Sequence, residues 1–155
     1  KINPKVIWLL IGTNDIGNTW CSPELVEIGI LRIVQELRLL RPNASIVING
    51  LLPRTFNRKG YVMKGHSKLF SWNRAALPSL WADISAINDD LQHYADMNEK
   101  VQYFNTDLFF TDKEAPTSQL RLDSKLMPDH LHPSTIGYEL WAIEIEKQLD
   151  ELLAE

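Results

Sequence analysis

Lys5 to Ile11 reads Lys-Val-Ile-Trp-Leu-Leu-Ile, an apolar run without polar alternation, and predicts a strand covered on both faces of a parallel sheet. The polar stretch that follows, Gly12 to Cys21, predicts a loop. Ser22 and Pro23 then form a helix-start signal, a capping oxygen followed by a residue pre-set for the first turn. Val26, Ile30, Ile33, Leu37 and Leu40 recur at helical spacing, which places an apolar stripe on one face of that helix, and Pro42 ends it. Ile46 to Leu52 predicts a second strand of the buried type, closing at Pro53. Leu80, Ile84, Ile87, Leu91 and Tyr94 mark a second amphipathic helix with Asp83, Asp89, Asp90 and Asp96 toward solvent. Val101 to Phe104 predicts a short third strand, and Leu108 to Met127 an irregular stretch. Ser134 is placed to cap a last helix in which Trp141, Ile145, Leu149 and Leu152 share a face. Strand and helix alternating three times over predict an α/β layer sandwich with a parallel sheet.

Composition narrows the class without changing this picture. The chain of 155 residues is long enough for a single domain, and 45% apolar with 23% charged residues is a globular balance that excludes a disordered or fibrous chain. The longest apolar run, Val6 to Ile11, is far too short for a membrane span. The one cysteine, Cys21, excludes an internal disulfide framework and a multi-cysteine zinc module. A net charge of −4 argues against a nucleic-acid partner. Asn43-Ala44-Ser45 matches the glycosylation triplet, a pattern too common by chance to assign a compartment.

One segment departs from the average. Between Arg54 and Arg74 lie six basic residues (Arg54, Arg58, Lys59, Lys64, Lys68, Arg74) and no acidic one, interleaved with Phe56, Tyr61, Phe70 and Trp72. The whole chain has 16 basic and 20 acidic residues, so the charge is unevenly distributed. Residues 54–80 read as a basic, aromatic insertion between the second strand and the second helix, a contact surface for an anionic partner or substrate. A solvated loop would carry the same composition.

Two clusters could carry chemistry, and both fall where open α/β sheets place their ligands. Gly12-Thr13-Asn14-Asp15 directly follows the first strand, where the Asn14 amide could donate to an oxyanion; as bare residues these are also ordinary turn formers. Asp129-His130-Leu131-His132 directly precedes the last helix. A tight turn there could bring the Asp129 carboxylate to the His132 ring and orient it as a general base, although such a pair can equally decorate a loop. Asp129, His130 and His132 are also conceivable metal ligands, a weaker reading because alternate residues point apart and no further ligand cluster adjoins them.

In this order and context the two clusters resemble the SGNH (GDSL-like) hydrolase family. Gly12 to Asp15 is similar to its Gly-x-Asn-Asp block, Asp129 to His132 to its Asp-x-x-His block, and Gly137-Tyr138 to its usual continuation. Ile48-Asn49-Gly50-Leu51-Leu52-Pro53-Arg54 looks most like the platelet-activating-factor acetylhydrolase branch. The resemblance implies a flavodoxin-like three-layer α/β/α sandwich with strand order 2-1-3-4-5, in which Val6 to Ile11 is strand three and strands one and two are missing from this chain. It implies a serine-type acyl or acetyl ester hydrolase with a small ester or acetylated substrate and no metal or organic cofactor. Asn14 would be an oxyanion donor, His132 the general base and Asp129 its orienting carboxylate. Gly12 and Asp15 would support the loop, and His130 has no assigned role.

The nucleophile block departs from that pattern. The family's serine lies in a Gly-Asp-Ser block upstream of Gly-x-Asn-Asp, yet only eleven residues precede Gly12 and none is serine. Gly65-His66-Ser67 is the nearest approximation and sits in the basic insertion, the wrong structural context. A start at Lys1 with an apolar strand within five residues points to a fragment or a processed chain, the C-terminal part of such a hydrolase. The nucleophile, and the strands that would cover the edge at Val6 to Ile11, would then come from a missing N-terminal segment or a complementing chain. The alternative reading is a non-catalytic interaction or assembly subunit that keeps the fold and lacks the nucleophile.

Overall fold

The computed structural model describes residues 2–17, 21–56, 59–62, 80–114 and 120–154. Its elements run β1 (Val6–Leu9), α1 (Thr13–Gly17), α2 (Pro23–Leu40), β2 (Ser45–Asn49), α3 (Trp81–Asp96), β3 (Val101–Phe104) and α4 (Thr135–Ala154). The three strands form a parallel sheet in the order β1-β2-β3, with Val6 opposite Ser45 and Ile46 opposite Val101. This is the α/β architecture expected, with the strands in the order of strands three, four and five.

Period-two alternation divides the sheet into two faces. Ile46 and Ile48 point to one and Val47 and Asn49 to the other, and all four are buried because β2 has a neighbour on each side. Helices α2 and α3 pack against each other and against β2 and β3. Helix α4 reaches the opposite face, where Gln148 Nε2 donates to Gln102 Oε1 at 3.0 Å. Trp8 and Phe104 meet edge to face on that side, with ring centroids 5.0 Å apart, and the Trp8 indole N–H donates to Asn49 Oδ1 at 3.1 Å.

Four sequence expectations need correction. The Gly12–Cys21 stretch is not all loop, because Thr13–Gly17 forms the short helix α1 on hydrogen bonds from Asp15 N and Ile16 N to Gly12 O. The strand expected over Ile46–Leu52 ends at Asn49, because α3 supplies a competing partner: Leu51 N donates to Asn88 Oδ1 at 2.8 Å and Leu51 O accepts from Asn88 Nδ2 at 3.0 Å. β1 is half-buried rather than covered on both faces, since among the described residues it is paired along one edge only. On α2 the buried stripe is Val26, Ile30 and Val34, while Ile33 and Leu40 are exposed. With a spacing of four throughout, the buried stripe winds slowly around α2 and leaves Ile33 and Leu40 off it.

Helix boundaries follow their local chemistry. Ser22 Oγ accepts from Leu25 N at 3.4 Å to cap α2, and Ser134 Oγ accepts from Gly137 N at 3.1 Å to cap α4. The described parts of the irregular Leu108–Met127 stretch carry core residues, with Phe110 and Met127 fully buried and Phe110 edge to face with Trp141 of α4.

Candidate active site

Gly12 turns the chain out of β1 at φ 107°, a left-handed conformation that disfavours any side chain, and a Cβ there would lie 2.9 Å from Val26 Cγ1. That turn leads straight into α1, whose buried Ile16 anchors it to the core while Asn14 and Asp15 stay exposed at the surface. The Asn14 amide therefore stands at the carboxyl end of a parallel strand.

The second cluster is a tight turn tied down at both ends. Met127 is fully buried on one side, and on the other Ser134 N donates to Leu126 O at 2.7 Å and Ser134 Oγ to Lys125 O at 2.6 Å. Between these anchors Asp129 Oδ1 accepts from the backbone N–H groups of Leu131 at 2.9 Å and His132 at 2.6 Å. Its other oxygen, Oδ2, lies 2.7 Å from His132 Nδ1. The His132 N–H is the largest influence and, with the His132 ring and the Leu131 N–H adding to it, outweighs the opposing effect of burial and holds the Asp129 carboxyl down at about 2. A carboxylate is an acceptor only, so His132 Nδ1 is the donor in this contact and Nε2 is the ring nitrogen left facing away from Asp129.

The pair has a pH signature. Because Asp129 is more acidic folded than its ordinary value of 3.8, its stabilising contribution is complete above about pH 4 and is lost as pH falls toward about 2. Asp129→Asn should flatten the fall of the urea midpoint over that window, and the two curves should run parallel at neutral pH. Identical acid limbs would mean that these hydrogen bonds do not persist in solution.

The segment after β2 joins the two turns. Arg54 Nη1 donates to Thr13 O at 2.8 Å, next to Asn14, and Thr55 N donates to His130 O at 3.3 Å, inside the Asp129–His132 turn. The sequence pattern places Arg54 in the basic insertion, names Thr13 only as part of the Gly12–Asp15 block, and does not mark Gly17 or Thr55. Arg54 and Thr55 are in fact buried in the body of the domain. The available signal was their position at the carboxyl end of a central strand, the same rule that drew attention to Asn14. His130 takes a left-handed φ of 60°, and its ring lies over Gly60. Arg58, Lys64, Lys68, Arg74, Phe70, Trp72 and Gly65-His66-Ser67 fall outside the described residues. Among the described residues no three His, Cys, Asp or Glu side chains come together as a metal site, and no helix is long and apolar enough to cross a membrane.

A parallel α/β sheet thus carries a polar turn after its first strand and an Asp–His turn before its last helix. Residues 1–140 match the GDSL-like lipase/acylhydrolase family, and the chain belongs to that family. Its relatives include the platelet-activating factor acetylhydrolase IB subunit beta homolog of Drosophila melanogaster, 45% identical over 54 residues, which are 35% of this chain and 23% of that protein. The platelet-activating factor acetylhydrolase IB subunit alpha2 of Gallus gallus is 37% identical over 80 residues, 52% of this chain and 33% of that protein. A solved structure from Streptococcus pneumonia, provisionally named a platelet activating factor, superposes with a TM-score of 0.71 at 23% identity over 94% of this chain and 59% of its own. The chain thus spans a third or less of these two curated relatives and 59% of the solved structure.

Proposed function

We propose that this chain carries the acid–base and oxyanion half of a serine-type ester hydrolase acting on small acyl or acetyl esters. The observation that carries the reading is the 2.7 Å contact between His132 Nδ1 and an Asp129 carboxylate already held by two backbone N–H groups. In this scheme a serine outside residues 1–155 attacks the ester carbonyl, and His132 Nε2 takes the proton from its hydroxyl. The tetrahedral oxyanion accepts a hydrogen bond from the Asn14 amide. Collapse of that intermediate breaks the bond to the alcohol, which leaves with the proton from His132. Water then repeats the sequence on the acyl-serine and releases the acid. The names of the relatives favour an acetyl group as the acyl part.

The test is made on the complete protein, with p-nitrophenyl acetate as substrate and a fluorophosphonate as probe. Hydrolysis, together with a single labelled serine outside residues 1–155, is the expected result. A complete protein that neither turns over the ester nor takes the label is instead a non-catalytic subunit. Asn14→Ala should lower kcat by about 100- to 1000-fold and leave KM within a few-fold, since the oxyanion exists in the transition state and not in the bound ester. A change confined to KM would remove Asn14 from this role.

A further inference from the structure

Among the described residues Arg54 is the buried cation, 3% exposed, and no carboxylate forms an ion pair with it. A charge taken out of water without a paired ion is expensive to keep, so its hydrogen bonds and neighbours have to account for it. Its guanidinium donates to Thr13 O at 2.8 Å and lies with Cζ 5.5 Å from the Phe56 ring centroid. It also lies flat against α1 at Gly17, where a Cβ would come within 2.3 Å of Nη1, so glycine is what allows the approach. Burial pulls the guanidinium pKa down, and the Asp129 carboxylate acts in the opposite sense. The next residue, Thr55, ties its backbone N–H to His130 O at 3.3 Å. Two consecutive residues therefore hold both turns of the site, which are more than a hundred positions apart in the chain.

From this arrangement, and resting on the ester-hydrolase reading above, we infer that Arg54 is a positioning residue that sets Asn14 against the Asp129–His132 turn. The guanidinium fixes the carbonyl just before Asn14 and packs on the far end of the same short helix, so α1 cannot rotate about its axis without breaking one contact or the other. Thr55 then refers that position to the turn carrying His132. Lysine cannot replace the function, because a single ammonium on a flexible stem cannot donate to Thr13 O and stack on Gly17 together.

The experiment uses the complete protein, with active sites counted by fluorophosphonate titration so that misfolded molecules do not enter kcat. Arg54→Met and Arg54→Lys should each lower kcat on p-nitrophenyl acetate by up to about 100-fold with KM within a few-fold, the size expected of a misplacement near 1 Å. Gly17→Ala keeps the arginine and displaces it, and should give the same kcat-against-KM split if Arg54→Met does not fold. In an Asn14→Ala background the effect of Arg54→Met should shrink to a few-fold, because the group it positions is gone. Turnover that survives His132→Ala overturns the hydrolase reading of the site. Turnover that depends on His132, yet is unaffected by Arg54→Met and Gly17→Ala or loses the same factor with and without Asn14, overturns the role of Arg54 alone.

Discussion

His132→Ala in the complete protein is expected to lower kcat on p-nitrophenyl acetate by at least about 10⁴-fold, and Asp129→Asn by about 10²- to 10⁴-fold. The two losses differ in cause. Without the ring nothing accepts the serine proton. With Asn at 129 the ring remains, but an amide offers one acceptor oxygen where the carboxylate offers two, and those two serve three donors: the N–H groups of Leu131 and His132 and the His132 ring. The amide NH₂ facing Nδ1 would favour the tautomer that protonates Nε2, which is useless as a base. Steady-state kinetics on purified variants, with circular dichroism to verify folding, distinguish the two. Near-normal turnover by His132→Ala would remove His132 as the base.

The largest stability effect is expected at Phe110, outside every catalytic contact. Its side chain is 0% exposed, sits edge to face with Phe109 and Trp141, and its carbonyl accepts from Asp123 N at 2.9 Å. Phe110→Ala leaves a cavity between the described part of the 108–127 stretch and α4 and should cost about 3–5 kcal/mol. Urea unfolding at neutral pH reads this as a fall in midpoint at constant slope. The Asp129–His132 turn lies between that stretch and α4, so the variant should also lose turnover before global unfolding, as local openings precede the global one. A cost below about 1 kcal/mol would show that Phe110 has little to pack against.

How far the sequence carried differs from element to element. β3 is legible to the residue, Val101 to Phe104, because an apolar run bounded by polar turn residues leaves few registers. The cap of α2 is legible from Ser22 and Pro23, and that of α4 from Ser134, since capping is a contact over three residues. The Asp129–His132 pairing is legible for the same reason, because a carboxylate three residues before a ring can reach both its backbone N–H and its Nδ1 within one turn. In contrast, α1 was hidden: five residues are too few for a periodicity, and Gly12-Thr13-Asn14-Asp15 has the composition of a turn. The end of β2 was hidden as well, because Leu51 and Leu52 continue the apolar pattern and the competing hydrogen bonds come from Asn88, in another element.

By itself the sequence determined what depends on near neighbours and on periodicity: the alternating α/β order, the helix caps, the Asp–His turn and the two blocks that mark the family. Tertiary structure alone decided which face of α2 is buried, and that Arg54 leaves the basic segment to lie against Gly17 and Thr13. The physical reason is one of range. A cap or a tight turn closes within a few residues, and its partners can be read side by side in the chain. The value of a buried cation or an exposed isoleucine is set instead by desolvation and packing against residues far away in sequence, and these exist only once the layers have met.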